Sequence, residues 1–272
     1  MPTTSIKDFI YTHPTEPPRR TRRAPRRILV QAWARSMAGD EGEVTVLGHW
    51  GSPFVTRVRL ALRLKGVRYE YVEEDLRSKS DLLLRCNPVH RAVPVLIHRG
   101  RPVCESQAIL QYVDEAFGPP TLLPADPHER AVARFWAAYF DDELGAPWDR
   151  ALRAGTEEER AAWMKKVVDA ADGLERGLGE CTDGGRKGCF FGGESVGYVD
   201  VVVGGAVSYV HAVARVSGER LFQDEGRTPL LAAWLRRFGE LDAAVELLQD
   251  VDRVVEYVRF IHTKNAAKAT AN

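Results

Sequence analysis

The sequence predicts two structural parts in series, an α/β part followed by an all-helical part, and three observations support this prediction. Short apolar runs of strand type alternate with helical patterns between residues 44 and 117. Four prolines interrupt both patterns between residues 118 and 127. After them, apolar residues recur at spacings of three and four, and the alternation typical of a half-buried strand is absent. We therefore expect an α/β N-terminal domain plus an all-α C-terminal domain.

The first predicted elements form a β-α-β unit. Residues 44–47 are an apolar run typical of a strand, and a breaker-rich segment follows them. Ser52 is a favoured N-cap residue and Pro53 suits the first helical position, so a helix is predicted from Ser52 to the stop signal at Gly66. Residues 69–72 have the composition of a second strand. A strand, a helix and a parallel strand join with a right-handed crossover.

A second helix, a hairpin and a third helix complete the α/β part. Residues 80–84 are predicted to be helical. Residues 94–97 and 102–104 are predicted to pair as a hairpin, because Gly100 can supply the positive φ of a tight turn. An amphipathic helix is predicted for residues 105–117. The resulting order β-α-β-α-β-β-α is that of a thioredoxin-like domain.

The C-terminal part is predicted to contain helices only. The expected helices span residues 129–148, 157–178, 200–213, 229–238 and 251–260. Gly197 and Asp200 have the spacing of a capping box, in which a carboxylate three residues into the helix accepts a bond from the N-cap amide. We expect this pair to stabilise the fold rather than take part in chemistry.

The domain limits predicted from these patterns leave both ends of the chain outside the folded body. They are a disordered basic extension at 1–36, a thioredoxin-like domain at 42–121, an all-helical domain at 127–262 and a disordered tail at 263–272. The extension is rich in proline and arginine and has no apolar periodicity. Two interpretations of it stay open: an organelle-targeting segment, or a stretch upstream of a translation start at Met37.

The net charge of the chain is zero only because a basic N-terminal extension offsets an acidic remainder. The sequence has 38 basic and 38 acidic residues, but residues 1–36 carry eight basic and two acidic side chains, so they contribute +6 and the remainder −6. An acidic body lacks the field that collects nucleic-acid phosphates, so nucleic-acid binding is disfavoured. The most apolar stretch, residues 199–213, contains Asp200 and His211 and falls short of the roughly 20 residues that cross a bilayer, so no membrane span is expected.

The cysteines form neither a metal-site pattern nor a disulfide pattern. Cys86, Cys104, Cys181 and Cys189 include no C-x-x-C pair, and the histidines are scattered. We expect free thiols in a reducing compartment and no bound metal.

Four motifs follow one another in the α/β part. They are Trp-Gly-Ser-Pro-Phe-Val-Thr-Arg-Val-Arg at 50–59, Asn-Pro-Val-His at 87–90, Val-Pro-Val-Leu at 93–96 and Glu-Ser at 105–106. Their order and spacing resemble those of plant tau-class glutathione S-transferases. The resemblance extends from about residue 44 to the C-terminal helix and does not include the basic extension.

The resemblance implies both a fold and an activity. It implies the glutathione transferase fold, a homodimer, and a cytoplasmic protein, or a plastid or mitochondrial one if the extension is a targeting segment. It implies conjugation of the glutathione thiolate to hydrophobic electrophilic small molecules, in detoxification and the stress response, with glutathione peroxidase activity as a possible side reaction. Glutathione is then a co-substrate, and no cofactor is expected. Two alternatives stay open: a ligandin-like carrier of hydrophobic compounds and a non-catalytic interaction domain.

Ser52 is the candidate catalytic residue, because the resemblance assigns it a hydroxyl that stabilises the thiolate. A helix N-terminus presents free N–H groups and the positive end of the helix dipole. A hydroxyl there can donate to a sulfur anion, which lowers the pKa of the thiol. The alternative that Ser52 only caps the helix stays open. The flanking residues do not form the Gly-x-Ser-x-Gly pattern of a serine hydrolase, and no cysteine stands at this position for disulfide exchange.

The resemblance also implies four glutathione-binding residues. Val93 precedes a proline whose cis peptide would expose backbone groups to the tripeptide. Glu105 can pair with the ligand ammonium and Ser106 can donate to its γ-glutamyl carboxylate, while Lys79 approaches the glycyl carboxylate. The chain departs from the family at Ala92, where many relatives have lysine, so we expect weakened affinity for glutathione.

The second substrate is expected to lie between the two domains. The candidate residues for its hydrophobic pocket are Phe54, Trp148, Arg150, Trp234 and Phe260.

Overall fold

The computed structural model describes residues 44–270, with side chains up to residue 265. The predictions for residues 1–36, for Met37 and for residues 271–272 lie outside the described residues. The strands are β1 (Val44–Gly48), β2 (Glu70–Glu73), β3 (Val95–His98) and β4 (Arg101–Cys104), and the helices among them are α1 (Pro53–Leu64), α2 (Asp81–Cys86) and α3 (Ser106–Ala116). The helical part contains α4 (Pro127–Tyr139), a π-helical turn (Phe140–Gly145), α5 (Ala146–Arg153), α6 (Glu157–Cys181), α7 (Tyr198–Gly204), α8 (Val207–Ser217), α9 (Pro229–Gly239), α10 (Asp242–Leu247) and α11 (Val251–Thr270). The predicted fold class, a thioredoxin-like α/β part followed by an all-α part, is confirmed.

The four strands form one mixed sheet in the order β2-β1-β3-β4. β1 runs parallel to β2 and antiparallel to β3, so Val46 pairs with Tyr71 on one side and with Leu96 on the other. All of β1 is buried because it lies inside the sheet. β4 is at the edge, where Pro102 is tolerated because the missing N–H faces no further strand. The turn that leads into α1 therefore follows directly after β1, one of the two inner strands.

The hairpin between β3 and β4 turns at two residues in the left-handed region. Arg99 and Gly100 have φ values of 51° and 72°. Positive φ at both central positions is typical of the type I′ turn, whose twist matches that of the strands. The predicted hairpin is confirmed, and it places Glu105 directly after β4.

Helix α1 joins the two parts of the molecule. It packs against α3 in the α/β part and against α7 and α10 in the helical part. At Gly205, which follows α7, a side-chain carbon would lie 2.5 Å from the Pro53 carbonyl oxygen, so only glycine permits this approach. The helix predicted at 200–213 is interrupted at Gly205 and Ala206, which divide it into α7 and α8.

The long helix predicted at 129–148 is also interrupted. The Ala146 amide bonds to the Asp141 carbonyl, five residues back, which gives one π-helical turn between α4 and α5. Pro147 follows and cannot donate a helical hydrogen bond, so the regular pattern cannot continue through it. The turn brings Asp141 toward α1.

Two further differences concern the C-terminal end. The short helix α10 is not among the predicted helices. α11 continues to Thr270, whereas residues 263–272 are predicted to be a disordered tail. The sequence Asn-Ala-Ala-Lys-Ala at 265–269 has high helix propensity, which the search for apolar periodicity does not detect.

The capping box at the start of α7 is confirmed. Asp200 is fully buried, and its carboxylate accepts the Gly197 amide at 2.9 Å. It also accepts the amides of Phe191 and Gly192 at 2.9 Å and the Trp234 indole N–H at 2.7 Å. Burial raises the pKa of Asp200, and these four donors compensate in part for the lost hydration. The carboxylate thus fixes a loop, a helix start and a core side chain together.

Residues 198–217 are the one helical stretch of the described chain whose length and composition would suffice to cross a membrane. Within its most apolar window, 78% is buried inside the protein. Such burial is typical of a core helix.

Candidate active site

Ser52 lies in the turn between the central strand and α1. It is the N-cap of α1, and its Oγ accepts the Val55 amide at 3.2 Å. Its own amide donates to the His49 carbonyl at 3.0 Å. The residue is fully buried, and its hydroxyl donates to no side chain or carbonyl within the described residues. It lies at the positive end of the α1 dipole, but it is not itself part of the lining of the two cavities described below.

A small cavity lies beside the start of α1 and collects three of the predicted glutathione residues. It is lined by Phe54, Asn87, Ala92, Val93, Pro94, Glu105 and Ser106 and encloses about 260 Å3, including space open to solvent. The Val93–Pro94 peptide is cis. The Asn87 side chain holds the loop that precedes it, since its Nδ2 donates to the Ala92 carbonyl at 3.0 Å and its Oδ1 accepts the His90 amide at 3.1 Å. Val93, Glu105 and Ser106 thus meet at one place.

Glu105 has a backbone conformation that a non-glycine residue rarely adopts. Its φ is 72° at the N-cap of α3. Such strain is concentrated at functional sites, where the surrounding structure maintains it. The carboxylate is 35% exposed and lies 3.6 Å from His90 Nε2. Ser106 begins α3, so its hydroxyl and the free amides of the helix N-terminus point to the same region.

The remaining two positions predicted to affect glutathione differ in their placement. Lys79 is half-buried in the segment between β2 and α2 and is not part of the cavity lining. Ala92 is 4% exposed and does line the cavity. The cavity wall therefore has a methyl group where the resemblance leads us to expect an ammonium group.

Arg57 is a functional candidate that the sequence reasoning missed. It is 1% exposed, and its Nη1 and Nη2 donate to the two carboxylate oxygens of Asp141 at 2.9 Å. Nη1 also donates to Ser106 Oγ at 3.4 Å, and Gln107 Nε2 donates to Asp141 at 2.7 Å. Arg57 thus links α1, the start of α3 and the π-helical turn. An arginine among apolar positions of a buried helix is a sequence signal for such a pair, but its partner, 84 residues away, is not.

The second cavity lies between the two parts of the molecule and is mostly apolar. Its lining consists of Pro53, Phe54, Arg57, Phe140, Asp141, Gly145, Trp148, Asp149, Leu152, Ala206 and Tyr209, and it encloses about 470 Å3, including space open to solvent. Phe54 lines both cavities, with the Arg57 guanidinium 4.9 Å from its ring centroid. Both cavities therefore border Phe54, two residues after Ser52.

The structure brings two of the five predicted pocket residues to this cavity, Phe54 and Trp148. The other three do not line it. Trp234 is fully buried and donates to Asp200, so it belongs to the core. Arg150 turns outward and stacks 4.6 Å from the Trp163 ring, and Phe260 is 41% exposed on α11. Helical spacing shows which residues share a stripe but not which neighbour the stripe contacts. Two other residues line it instead: Tyr209, which lies in the helix predicted at 200–213, and Leu152, which lies beyond the end of the helix predicted at 129–148.

The cysteines near the small cavity are poor nucleophiles. Burial raises the pKa of both Cys86 and Cys104, and the Cys104 thiol donates to the Cys86 carbonyl at 3.4 Å. A raised pKa lowers the thiolate fraction at neutral pH. Within the described residues, no group of three or more histidine, cysteine, aspartate or glutamate side chains could hold a metal ion.

Comparison with known proteins gives a consistent result for both parts. Residues 42–115 match the family model "Glutathione S-transferase, N-terminal domain" and residues 157–237 match "Glutathione S-transferase, C-terminal domain". The chain is 50% identical over 240 residues to the probable glutathione S-transferase GSTU6 of Oryza sativa subsp. japonica, which spans 86% of this chain and 100% of that protein.

Solved structures of two plant proteins are similar as well. One is a tau-class glutathione S-transferase of mango, Mangifera indica, with a TM-score of 0.74 and 37% identity over 82% of this chain and 100% of that chain. The other is a rice enzyme solved in complex with glutathione, with a TM-score of 0.73 and 41% identity over 83% of this chain and 99% of that chain.

Proposed function

This chain belongs to the glutathione S-transferase family, and from that premise we propose that Ser52 stabilises the thiolate of bound glutathione, which attacks the electrophilic carbon of an apolar second substrate. The resemblance to tau-class enzymes is confirmed, and the protein is a transferase that uses glutathione. The roles of individual residues are the proposal.

One observation carries the assignment of Ser52. The cavity with Val93, Glu105 and Ser106 and the apolar cavity between the two parts share Phe54, two residues after Ser52. A tripeptide held in the first cavity would have its sulfur near the start of α1, and an electrophile in the second would lie beside that sulfur. Bringing the reactants together in this way supplies part of the rate, and the pre-stabilised thiolate supplies more.

The charged ends of glutathione match groups at the small cavity. Glu105 would pair with the γ-glutamyl ammonium, and Ser106 with the α3 amides would bind the adjacent carboxylate. The backbone of Val93 would pair with the peptide portion of the ligand, and Lys79 would approach the glycyl carboxylate. Within a body of net charge −6, these few placed groups rather than a general field hold the anionic ligand.

The second substrate would be a hydrophobic electrophile held against Phe54 and Trp148. The mostly apolar wall supports this class of ligand. Reduction of organic hydroperoxides by the same thiolate is a possible side activity. A homodimer in the cytoplasm, acting in detoxification and the stress response, is part of the proposal and rests on the resemblance.

The experiment compares the wild type and Ser52→Ala in conjugation of glutathione to a chloronitrobenzene, in which the thiolate forms a C–S bond, the C–Cl bond breaks and chloride leaves. We expect kcat at neutral pH to fall by about 100-fold, as on loss of a single preorganised donor to a reacting anion. The pKa of the bound glutathione thiol should rise in the same variant.

A matched control is Thr156→Ala. Thr156 caps α6 and accepts the Glu159 amide at 3.2 Å, the same geometry as Ser52 and Val55, but it lines neither cavity. This variant should keep the wild-type rate. Equal rates for Ser52→Ala and wild type would remove Ser52 from the mechanism, and absence of turnover in both with retained binding of apolar compounds would favour the ligandin-like carrier.

A further inference from the structure

The peptide unit that leads into Ser52 is held at both ends. Its N–H belongs to Ser52 and donates to the His49 carbonyl at 3.0 Å. Its carbonyl belongs to Gly51 and accepts the Tyr209 hydroxyl at 2.5 Å. Because a peptide unit is planar, two bonds at its opposite ends fix its orientation, and with it the direction in which the Ser52 side chain leaves the backbone.

Tyr209 makes this contact from the other part of the molecule. It lies on α8, 158 residues further along the chain, and is 4% exposed. Among the described residues, its hydroxyl is the one recorded donor to the Gly51 carbonyl, which is itself buried. Loss of that donor would leave a buried carbonyl without a partner, so the peptide unit would gain by rotating toward another donor.

The hydroxyl is suited to a permanent donor role. Burial holds the pKa of Tyr209 well above its usual range, so the phenol keeps its proton. The ring of the same residue lines the apolar cavity beside Phe54 and Trp148. Tyr209 thus contacts both the wall of the electrophile compartment and the turn that carries Ser52.

From these contacts we propose that Tyr209 is a positioning residue for catalysis, whose bond to the Gly51 carbonyl orients the Ser52 hydroxyl toward the glutathione sulfur. This inference rests on the proposed role of Ser52. It adds a second role for the helical part, which also lines the apolar cavity. Through Tyr209 it supplies the hydrogen bond that aligns the Ser52 hydroxyl in the α/β part.

The test uses Tyr209→Phe in the full chain, which removes one oxygen atom and keeps the ring. The readouts are the pKa of the bound glutathione thiol, followed by thiolate absorbance against pH, and the pH profile of kcat. We expect the thiol pKa to rise by about one unit and kcat at neutral pH to fall about tenfold, since one pKa unit changes the thiolate fraction tenfold. The KM for glutathione should stay within about twofold, and kcat should approach the wild-type value at high pH.

Tyr139→Phe is the matched control. Tyr139 donates to the Ala170 carbonyl at 3.2 Å, a tyrosine-to-backbone bond within the helical part. Its loss should lower the melting temperature without changing the thiol pKa. A Tyr209→Phe variant that behaves in the same way would overturn the inference, because its role would then be structural only.

Ser52→Ala and the double variant separate this inference from the proposed function. If Tyr209 acts through Ser52, adding Tyr209→Phe to Ser52→Ala should raise the thiol pKa no further. A raised thiol pKa in Ser52→Ala together with an unchanged one in Tyr209→Phe would refute the inference alone. An unchanged thiol pKa in Ser52→Ala would refute the proposed function, and the inference with it.

Discussion

Arg57 holds three elements together through a single guanidinium group. Its bidentate ion pair with Asp141 is largely shielded from solvent, since the exposed fractions of the two side chains are 1% and 17%. Planar, delocalised and weakly hydrated, a guanidinium is the cation best suited to such a buried fork of bonds. Its further bond to Ser106 means that the start of α3, where the γ-glutamyl end would bind, is tied to α1 and to the helical part.

Arg57→Ala should therefore destabilise the protein strongly. Removing one partner leaves the Asp141 carboxylate buried without its cation, which costs about 3–5 kcal/mol in the free energy of unfolding. Denaturant unfolding would measure the loss.

Arg63→Ala provides the control for this prediction. Arg63 lies on the same helix and pairs with Glu246, but both side chains are about half exposed. Solvent screens such pairs, so this variant should show no measurable change. Similar losses for Arg57→Ala and Arg63→Ala would mean that the buried pair contributes no more than a surface pair.

Ala92→Lys should improve glutathione binding. Ala92 lines the small cavity, so an ammonium group there would lie near the ligand and restore the cation that the resemblance leads us to expect. A charge-assisted bond at a partly shielded site is worth roughly 1 kcal/mol or more, so the KM for glutathione should fall about fivefold. Ala92→Met adds similar bulk without charge and should not lower KM. An unchanged KM in Ala92→Lys would contradict the prediction.

At the scale of elements, the sequence predicts the type of each helix or strand more accurately than the residue at which it ends. The β-α-β unit, the hairpin and the helix starts at Ser52 and Ser80 agree with local signals, because caps and turns involve residues close in sequence. The sequence reasoning misses the interruptions at the π-helical turn and at Gly205, although Pro147, directly after the first of them, is a local signal.

The small cavity and the apolar cavity differ in the same way: local signals predict the first, whereas the second depends on how the helices pack. Val93, Glu105 and Ser106 lie close together because the predicted hairpin leads directly from one to the others. Trp148 and Tyr209 meet Phe54 only after the helices have packed, and periodicity alone could not choose between Trp234 and Tyr209. The roles of all these residues stay predictions.

Asp200→Ala should weaken the helical part without altering the site. The carboxylate accepts four buried donors, and leaving them unpaired should cost about 3 kcal/mol and lower the melting temperature by several degrees. The kcat of the folded variant should equal that of the wild type, because Asp200 lines neither cavity. An unchanged melting temperature would show that the capping box contributes little.

At the scale of the whole molecule, the zero net charge hides two unlike pieces, and the folded body is the acidic one. Its two parts share one continuous hydrophobic cluster, which passes through α1. The candidate site lies beside α1, at the joint between the two parts. The contacts that align the site, such as the ion pair of Arg57 with Asp141, therefore also hold the two parts together. Conditions that loosen the joint should therefore affect stability and catalysis together.

Mild acid should lower the stability of the folded protein, because three histidines in different elements favour the neutral form. Burial lowers the pKa of His98 in β3, His211 in α8 and His262 in α11. In the unfolded chain these groups bind protons at about pH 6.5, whereas in the folded protein they do so only at lower pH. The unfolded state then binds more protons, so stability is complete above that pH and is lost as the pH falls through it.

We therefore expect the free energy of unfolding to fall between about pH 7.5 and 5.5, as measured by urea unfolding at a series of pH values. Carboxylates with lowered pKa, such as Asp172 beside Arg227, act only below their ordinary value of 3.8 and cannot produce a slope in this range. His211→Gln should reduce the slope, because it removes one proton-binding difference between the two states. His128→Gln, which changes an exposed side chain at the start of α4, should leave it intact. Equal slopes in the wild type and His211→Gln would mean that burial of this histidine does not link folding to pH.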